Sequence, residues 1–284
     1  MNKKIKIACI GTGNIASFHL PALERAGFDV VCCSGSLNSK TAKPFAKKFS
    51  IPKVYNNTND LIQNHGSFDA FLIAVSVNET FNILNECIKT QKPILVEKPI
   101  STNIHELNEL NELNENIRVA YNRRFYSTIQ YAKKFIMSNG PCHTTMKLPD
   151  YIDFSVNIKK QQFFSVKENS VHGFDILYYL FPDLEIYNVE MYKQPNASYG
   201  KKAFLENKRG DKVEVLLNWN SPSNFSLNID CLPFRLELKP FEKFKLFKGM
   251  EITEPTKDFP VRQYNPKLVE EGTVFSNEDD YLYK

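Results

Sequence analysis

The chain has 284 residues, enough for two domains that each bury a core. With 42% hydrophobic and 24% charged residues it reads as a globular protein, neither disordered nor membrane-embedded. Its net charge of +4 is carried by scattered pairs such as Lys47-Lys48 and Lys159-Lys160, which argues against a nucleic-acid-binding face.

The run Lys-Ile-Lys-Ile-Ala-Cys-Ile ending at Ile10 reads as a buried strand, and Gly11-Thr12-Gly13-Asn14-Ile15-Ala16 follows it at once. A Gly-x-Gly-x-x-Ala turn between a strand and a helix suits a pyrophosphate. The first glycine allows the tight turn, the second lets backbone approach the phosphates, and the alanine permits close helix–strand packing. Asn14 to Gly27 reads as the helix, with Pro21 a kink or second start. Phe28 to Cys33 is a second apolar run. Lys40 to Phe49 (helix), Val54-Tyr55 (strand), Asn59 to Asn64 (helical turn), Phe68 to Val75 (strand), Thr80 to Lys89 (helix) and Pro93 to Val96 (strand) continue the alternation. Asn103 to Asn116 reads as one solvated helix and Ile117 to Tyr121 as a strand. Asn122 to Ser138 reads as a helix stopped by Asn139-Gly140-Pro141. Strands alternating with helices predict a doubly wound parallel sheet with right-handed crossovers.

The grammar then changes. Thr144 to Met146, Ile152 to Val156, Glu185 to Tyr192, Ala203 to Asn207, Lys212 to Trp219, Ser226 to Cys231 and Phe234 to Leu238 read as strands. Gly210-Asp211 reads as a hairpin turn and Val171 to Leu180 as the one clear helix. The expected fold class is α/β: a Rossmann domain over 1–121, then an α+β domain with an open, mostly antiparallel sheet over 122–284.

No apolar run reaches membrane-span length, and the N-terminus reads as a strand, not a secretory leader. Cys9, Cys32, Cys33, Cys87, Cys142 and Cys231 are scattered without Cys-x-x-Cys spacing. The expectation is a reduced, cytoplasmic protein with no metal site, no disulfide and no membrane or nucleic-acid partner.

Three groups are candidates for chemistry. Glu97-Lys98-Pro99 follows a parallel strand, at the edge where doubly wound folds bind ligands, so Lys98 either exchanges a proton with substrate or is an exposed loop lysine. Glu168, His172 and Asp175 are four and three residues apart and share a helix face. They make either a general base with its orienting partner or a packed histidine at a helix start. Tyr121, Arg123 and Arg124 stand at the domain junction, holding either an anion or a hinge ion pair.

In this order and spacing, the chain resembles the Gfo/Idh/MocA family of NAD(P)-dependent oxidoreductases over nearly its whole length. The matching residues are Gly11-x-Gly13-x-x-Ala16 with His19, Phe45-Ala46, Glu97-Lys98-Pro99, Asn122-Arg123-Arg124-Phe125 and His172-x-x-Asp175. The resemblance implies hydride transfer between a nicotinamide and a hydroxyl or ketone of a sugar, cyclitol or nucleotide sugar. Lys98, His172 and Glu168 would move the proton, with Lys98, Tyr121, Arg123, His172 and Asp175 meeting the substrate. The cofactor would be met by Gly11, Thr12, Gly13, Asn14, Ile15, Ser34, Ser36, Lys40, Ala74, Glu97, Lys98 and Arg124. The family's second domain implies a homodimer or homotetramer through the C-terminal sheet.

Some positions depart from the family's pattern. Glu168 stands for Asp and Ser170 for Gly, and Phe163 to Lys167 replaces a glycine run. Ala74 to Val77 replaces Thr-Pro, and Phe81 stands where His is frequent. These leave a catalytically silent NAD(P)-binding sensor as the alternative. The segment Cys33 to Lys40, where the second strand ends, has no carboxylate, which points to NADP over NAD.

Overall fold

The computed structural model describes residues 4–110, 115–149, 170–193, 199–218 and 221–274. The chain divides into two compact units, the boundary lying between Asn122 and Arg123.

In the first unit β1 (Lys6–Ile10), α1 (Asn14–Arg25), β2 (Asp29–Ser34), α2 (Ala42–Lys48), β3 (Lys53–Tyr55), α3 (Thr58–Gln63), β4 (Ala70–Ile73), α4 (Val77–Ile88), β5 (Ile94–Val96), α5 (Ile104–Glu109) and β6 (Ile117–Val119) alternate. The strands form one parallel sheet in the order β3-β2-β1-β4-β5-β6. The order reverses between β1 and β4, and that switch point opens a crevice at the carboxyl edge.

The apolar runs are continuous because both faces are covered. Ile7 and Cys9 of β1 pack with Ala16, Leu20 and Leu23 of α1 and Phe45 of α2. Ala8 and Ile10 pack instead with Phe71, Leu61 and Leu84, on the side of α3 and α4. A buried leucine such as Leu84 contributes about 1.5–3 kcal/mol in such a layer. Pro21 lies inside an unbroken α1, neither ending it nor starting a second helix. The helix expected over 103–116 is shorter, α5 ending at Glu109.

The second unit opens with a 3₁₀ turn at Asn122–Phe125 and α6 (Ser127–Asn139), so the single helix expected there is divided at Tyr126. Then follow β7 (His143–Leu148), α7 (Val171–Leu180), β8 (Glu185–Lys193), β9 (Tyr199–Glu206), β10 (Lys212–Leu217), β11 (Ser226–Cys231), β12 (Phe234–Leu238), β13 (Lys243–Thr253) and β14 (Gln263–Thr273). The sheet order is β14-β13-β12-β11-β7-β10-β9-β8, parallel only between β10 and β7. Helices α6 and α7 cover one face with Ile129, Ile136, Ile176 and Leu177, against Met146, Val215, Ile229 and Leu236. The expected strand at 152–156 lies outside the described residues.

Two expectations are corrected. The long β13–β14 hairpin was not expected. From Gly249 to Leu268 its residues are exposed on both faces, apart from a half-buried Gln263, so no buried/exposed alternation marks it. Cys142 and Cys231 form a disulfide instead of remaining thiols. The antiparallel register of β7 with β11 pairs His143 with Asp230, and one step further sets the two cysteines opposite one another. Cys9, Cys32, Cys33 and Cys87 are free and buried.

Candidate functional site

In the first unit the site is built at the carboxyl ends of β1, β2, β4 and β5. Gly11 closes β1 with φ +103°, donating its N–H to Ser34 O at 2.9 Å. A Cβ there would stand 2.6 Å from the Ala74 carbonyl carbon and closer still to its oxygen, so both conformation and space demand glycine. Gly13 is the N-cap of α1 with extended backbone and no capping side chain, and a Cβ on it would meet nothing within 4 Å. The approach to the first turn of α1 is therefore open, where Asn14 and Ile15 are exposed and the helix dipole is positive. An open Gly13 beside a tightly held Gly11 fits a dinucleotide pyrophosphate.

Around β2 the structure redistributes the expected contacts. Ser34 is fully buried with its hydroxyl 3.5 Å from Thr58 Oγ1, which turns it away from a surface ligand. Ser36 and Lys40 are exposed. Between them and the glycine turn lies a hydroxyl chain absent from the sequence reading: Thr12 Oγ1 is 2.8 Å from Thr41 Oγ1, itself 3.0 Å from Ser39 Oγ. Gly35 makes room for it, since a Cβ there would lie 2.5 Å from Ser39. Ala74, at the end of β4, is the wall against Gly11. Phe81 is a core residue of α4.

Glu97, Lys98 and Pro99 follow β5, with Lys98 half-buried and the Lys98–Pro99 peptide cis. Glu97 does not present its carboxylate outward as a cofactor contact. Oε1 lies 2.6 Å from His19 Nε2, and Oε2 accepts the Lys98 N–H at 3.1 Å. Tyr121, after β6, is half-buried.

In the second unit Arg124 and Asp175 have taken one another. Arg124 Nε donates to both Asp175 oxygens at 2.9 and 2.8 Å, and Nη2 donates to Oδ1. The Asp175 side chain is 4% exposed and that of Arg124 40%. Burial pushes the Asp175 carboxyl above its ordinary value, while the Arg124 hydrogen bonds and charge pull it down. Gln130 clamps this pair, donating to the Arg124 carbonyl and to Tyr179 Oη.

His172 is buried one turn before Asp175 on α7, where Gly173 lets the helix approach β7. A Cβ on Gly173 would lie 2.5 Å from Leu148. Arg123 lies over the Phe225 ring at 5.7 Å. Glu168 lies outside the described residues. Among the described residues no group of three or more His, Cys, Asp or Glu could hold a metal, and no helix is long and apolar enough to cross a membrane.

Comparison with known proteins agrees with this geometry. Residues 5–122 match the GFO_IDH_MocA family pattern, an oxidoreductase family with an NAD-binding Rossmann fold. The chain is 24% identical over 190 residues to myo-inositol 2-dehydrogenase of Thermotoga maritima, covering 62% of this chain and 54% of that one. The matched stretches span about half the length of the curated relatives, 41% for a second one. Among solved structures, a protein assigned as an NADPH-dependent oxidoreductase from Desulfitobacterium hafniense superposes with a TM-score of 0.78 at 17% identity. That match covers 99% of this chain and 85% of the other. Myo-inositol dehydrogenase of Lactobacillus casei, solved with NAD(H) and myo-inositol, gives 0.69 at 17%, covering 93% and 80%. These structural likenesses establish the fold of both units. The family likeness is carried by the N-terminal unit, whose residues 5–122 match the Gfo/Idh/MocA oxidoreductase family with its NAD-binding Rossmann fold.

Proposed function

We infer that this chain is an NAD(P)-dependent oxidoreductase acting on a hydroxyl or ketone carbon of a sugar, cyclitol or nucleotide sugar. The observation that carries the reading is one edge of one sheet. The Gly11–Gly13 turn after β1 and the Glu97-Lys98-Pro99 turn after β5 flank the switch point, in the stretch matched to the family. Gly11, Thr12, Gly13, Asn14 and Ile15 would hold the pyrophosphate. When bound, the nicotinamide accepts or supplies a hydride at C4. Lys98 would take or return the hydroxyl proton; the family resemblance assigns the same task to His172 and Glu168, and substrate contacts to Tyr121 and Arg123. Arg124 and Asp175 serve in this reading as a fixed pair that sets α7, not as ligand contacts.

Relatives acting on myo-inositol support a cyclitol or sugar as substrate. NADP is favoured over NAD because Ser36, Ser39, Lys40 and Thr41 offer hydroxyls and a cation, with no carboxylate to repel a 2′-phosphate. A homodimer or homotetramer through the C-terminal sheet is supported by exposed apolar residues on its outer strands, Ile186, Val189 and Met191 of β8 and Met250 and Ile252 of β13. A cytoplasmic location is compatible with the disulfide, whose cysteines are only 3% and 2% exposed and so shielded from reductants.

The test is turnover of a sugar and cyclitol panel, followed by nicotinamide absorbance, in wild type and Lys98→Met. Turnover should fall by about 10²–10⁴-fold with cofactor affinity unchanged. A wild type that binds NADPH but turns over nothing on the panel points to the silent sensor instead. NADH binding more than about tenfold tighter than NADPH would refute the cofactor preference.

A further inference from the structure

His19 lies on the inner face of α1 with Ala16 and Leu23, 4% exposed among apolar neighbours. An imidazole there needs a partner, and it has Glu97. Because an ionised carboxylate only accepts, His19 Nε2 carries the proton it shares with Glu97 Oε1 at 2.6 Å. Glu97 is in turn anchored from three sides. Its backbone N–H donates to Ile73 O at 2.8 Å, one oxygen takes His19, and the other accepts the Lys98 N–H at 3.1 Å. Both oxygens are thus spent inside the protein, one on helix α1 and one on the residue that follows.

We propose that His19 is a positioning residue for Lys98. Through Glu97 it fixes the backbone from which the Lys98 side chain springs, and it does so from the helix whose first turn begins at Gly13. His19 stands five residues beyond Asn14, about 7.5 Å along α1 at 1.5 Å per residue. One rigid element therefore carries both the phosphate turn and the anchor of the proton-transfer lysine. This rests on the reading of Lys98 as the proton-transfer group. Nothing in it requires the imidazole to touch substrate or cofactor. Its precision comes from the shortness of the chain His19–Glu97–Lys98, two hydrogen bonds with no flexible linker.

The experiment compares His19→Leu, which has no donor, with His19→Gln, which keeps an N–H near the same place. The measurements are NADPH affinity by fluorescence titration, kcat and KM on the substrate found in the panel, and hydrogen exchange of the Lys98 amide. His19→Leu should lower kcat on the order of 10²-fold with NADPH affinity and KM nearly unchanged. Its Lys98 amide should exchange about tenfold faster. His19→Gln should recover most of both. A near-wild-type kcat in His19→Leu, an unchanged Lys98 exchange rate, or no recovery in His19→Gln each overturns the proposal. If wild type turns over no substrate, the oxidoreductase reading fails, while the exchange measurement still decides whether His19 holds the Lys98 turn. If His19→Leu does not fold, Glu97→Gln replaces it, and its Lys98 exchange must rise for the proposal to stand.

Discussion

Gly11 and Gly13 are two residues apart in one motif, yet the structure gives replacement by alanine different consequences. At Gly11 the backbone φ of +103° costs an L-residue about 1–2 kcal/mol. The added Cβ would also press on the Ala74 carbonyl, whose carbon lies 2.6 Å away. Relief means separating β1 from β4 where Ala74 N–H donates to Ile10 O at 2.8 Å, a bond worth about 1 kcal/mol net. Overpacking adds about 1–3 kcal/mol, so Gly11→Ala should lose about 3–6 kcal/mol, a large share of a domain's stability.

At Gly13, φ is −88° and the space is open, so alanine fits without strain. The gain of about 0.4–1 kcal/mol from reduced unfolded-state entropy is offset by a similar loss, because alanine caps a helix less well than glycine, so the free protein should keep near wild-type stability while the methyl occupies the approach to the pyrophosphate. Urea denaturation and NADPH titration separate the two effects. Gly11→Ala should shift the midpoint sharply downward. Gly13→Ala should leave it nearly level and weaken NADPH binding at least tenfold, about 1.4 kcal/mol. Full stability in Gly11→Ala, or wild-type NADPH affinity in Gly13→Ala, would falsify the geometric reasoning.

Asp211 is fully buried, and although burial raises its carboxyl, the Arg209 bonds, the Cys142 N–H and Asn207 outweigh this and hold it below the usual carboxylate range. A depressed carboxyl contributes stability that is present above its unfolded value and lost as pH falls through the folded one. Asp211→Asn should therefore flatten the acid limb of the stability profile and cost about 2–3 kcal/mol at neutral pH in urea melts; an unchanged acid limb counts against this. Arg124→Lys replaces a fork by a point charge against Asp175 and should cost about 1–2 kcal/mol, a result refuted by equal urea midpoints. Thiol titration in denaturant should find four reactive groups before reduction and six after, because only Cys142 and Cys231 are paired. In the native state Cys32, Cys33 and Cys87, pushed up to about 12, 11 and 12 chiefly by burial, should resist alkylation at mildly alkaline pH. Rapid native labelling of any of them would show that their layer is open to reagent.

The parts of the fold that were legible share a physical cause. Runs such as Phe68 to Val75 are continuous because helices cover both faces of the parallel sheet, so burial is written directly into the chain. The β13–β14 hairpin was illegible for the converse reason: Met250, Glu251, Ile252, Tyr264 and Asn265 are all exposed, and nothing in the order of side chains records which face is which. The glycine turn was readable because Gly11 answers a local backbone demand that no other residue type meets.

Long-range pairings carry no such local mark. His19 and Glu97 are 78 residues apart, Arg124 and Asp175 51, Cys142 and Cys231 89. In the sequence each of these side chains looks unspent, and unspent charge at a strand end or helix start invites assignment to a ligand. The fold satisfies Glu97, Arg124 and Asp175 internally instead, because a buried carboxylate left without a donor costs more than any gain from waiting for a ligand. What remains at the carboxyl ends of the first unit's strands after that accounting is backbone at Gly11 and Gly13, the hydroxyls of Thr12, Ser39 and Thr41, and half-buried Lys98. In the first unit the carboxylate of Glu97 is turned inward, while glycine backbone and hydroxyls are left at the carboxyl ends of the strands. A charge-based reading of the sequence therefore finds the framework of the site before its surface.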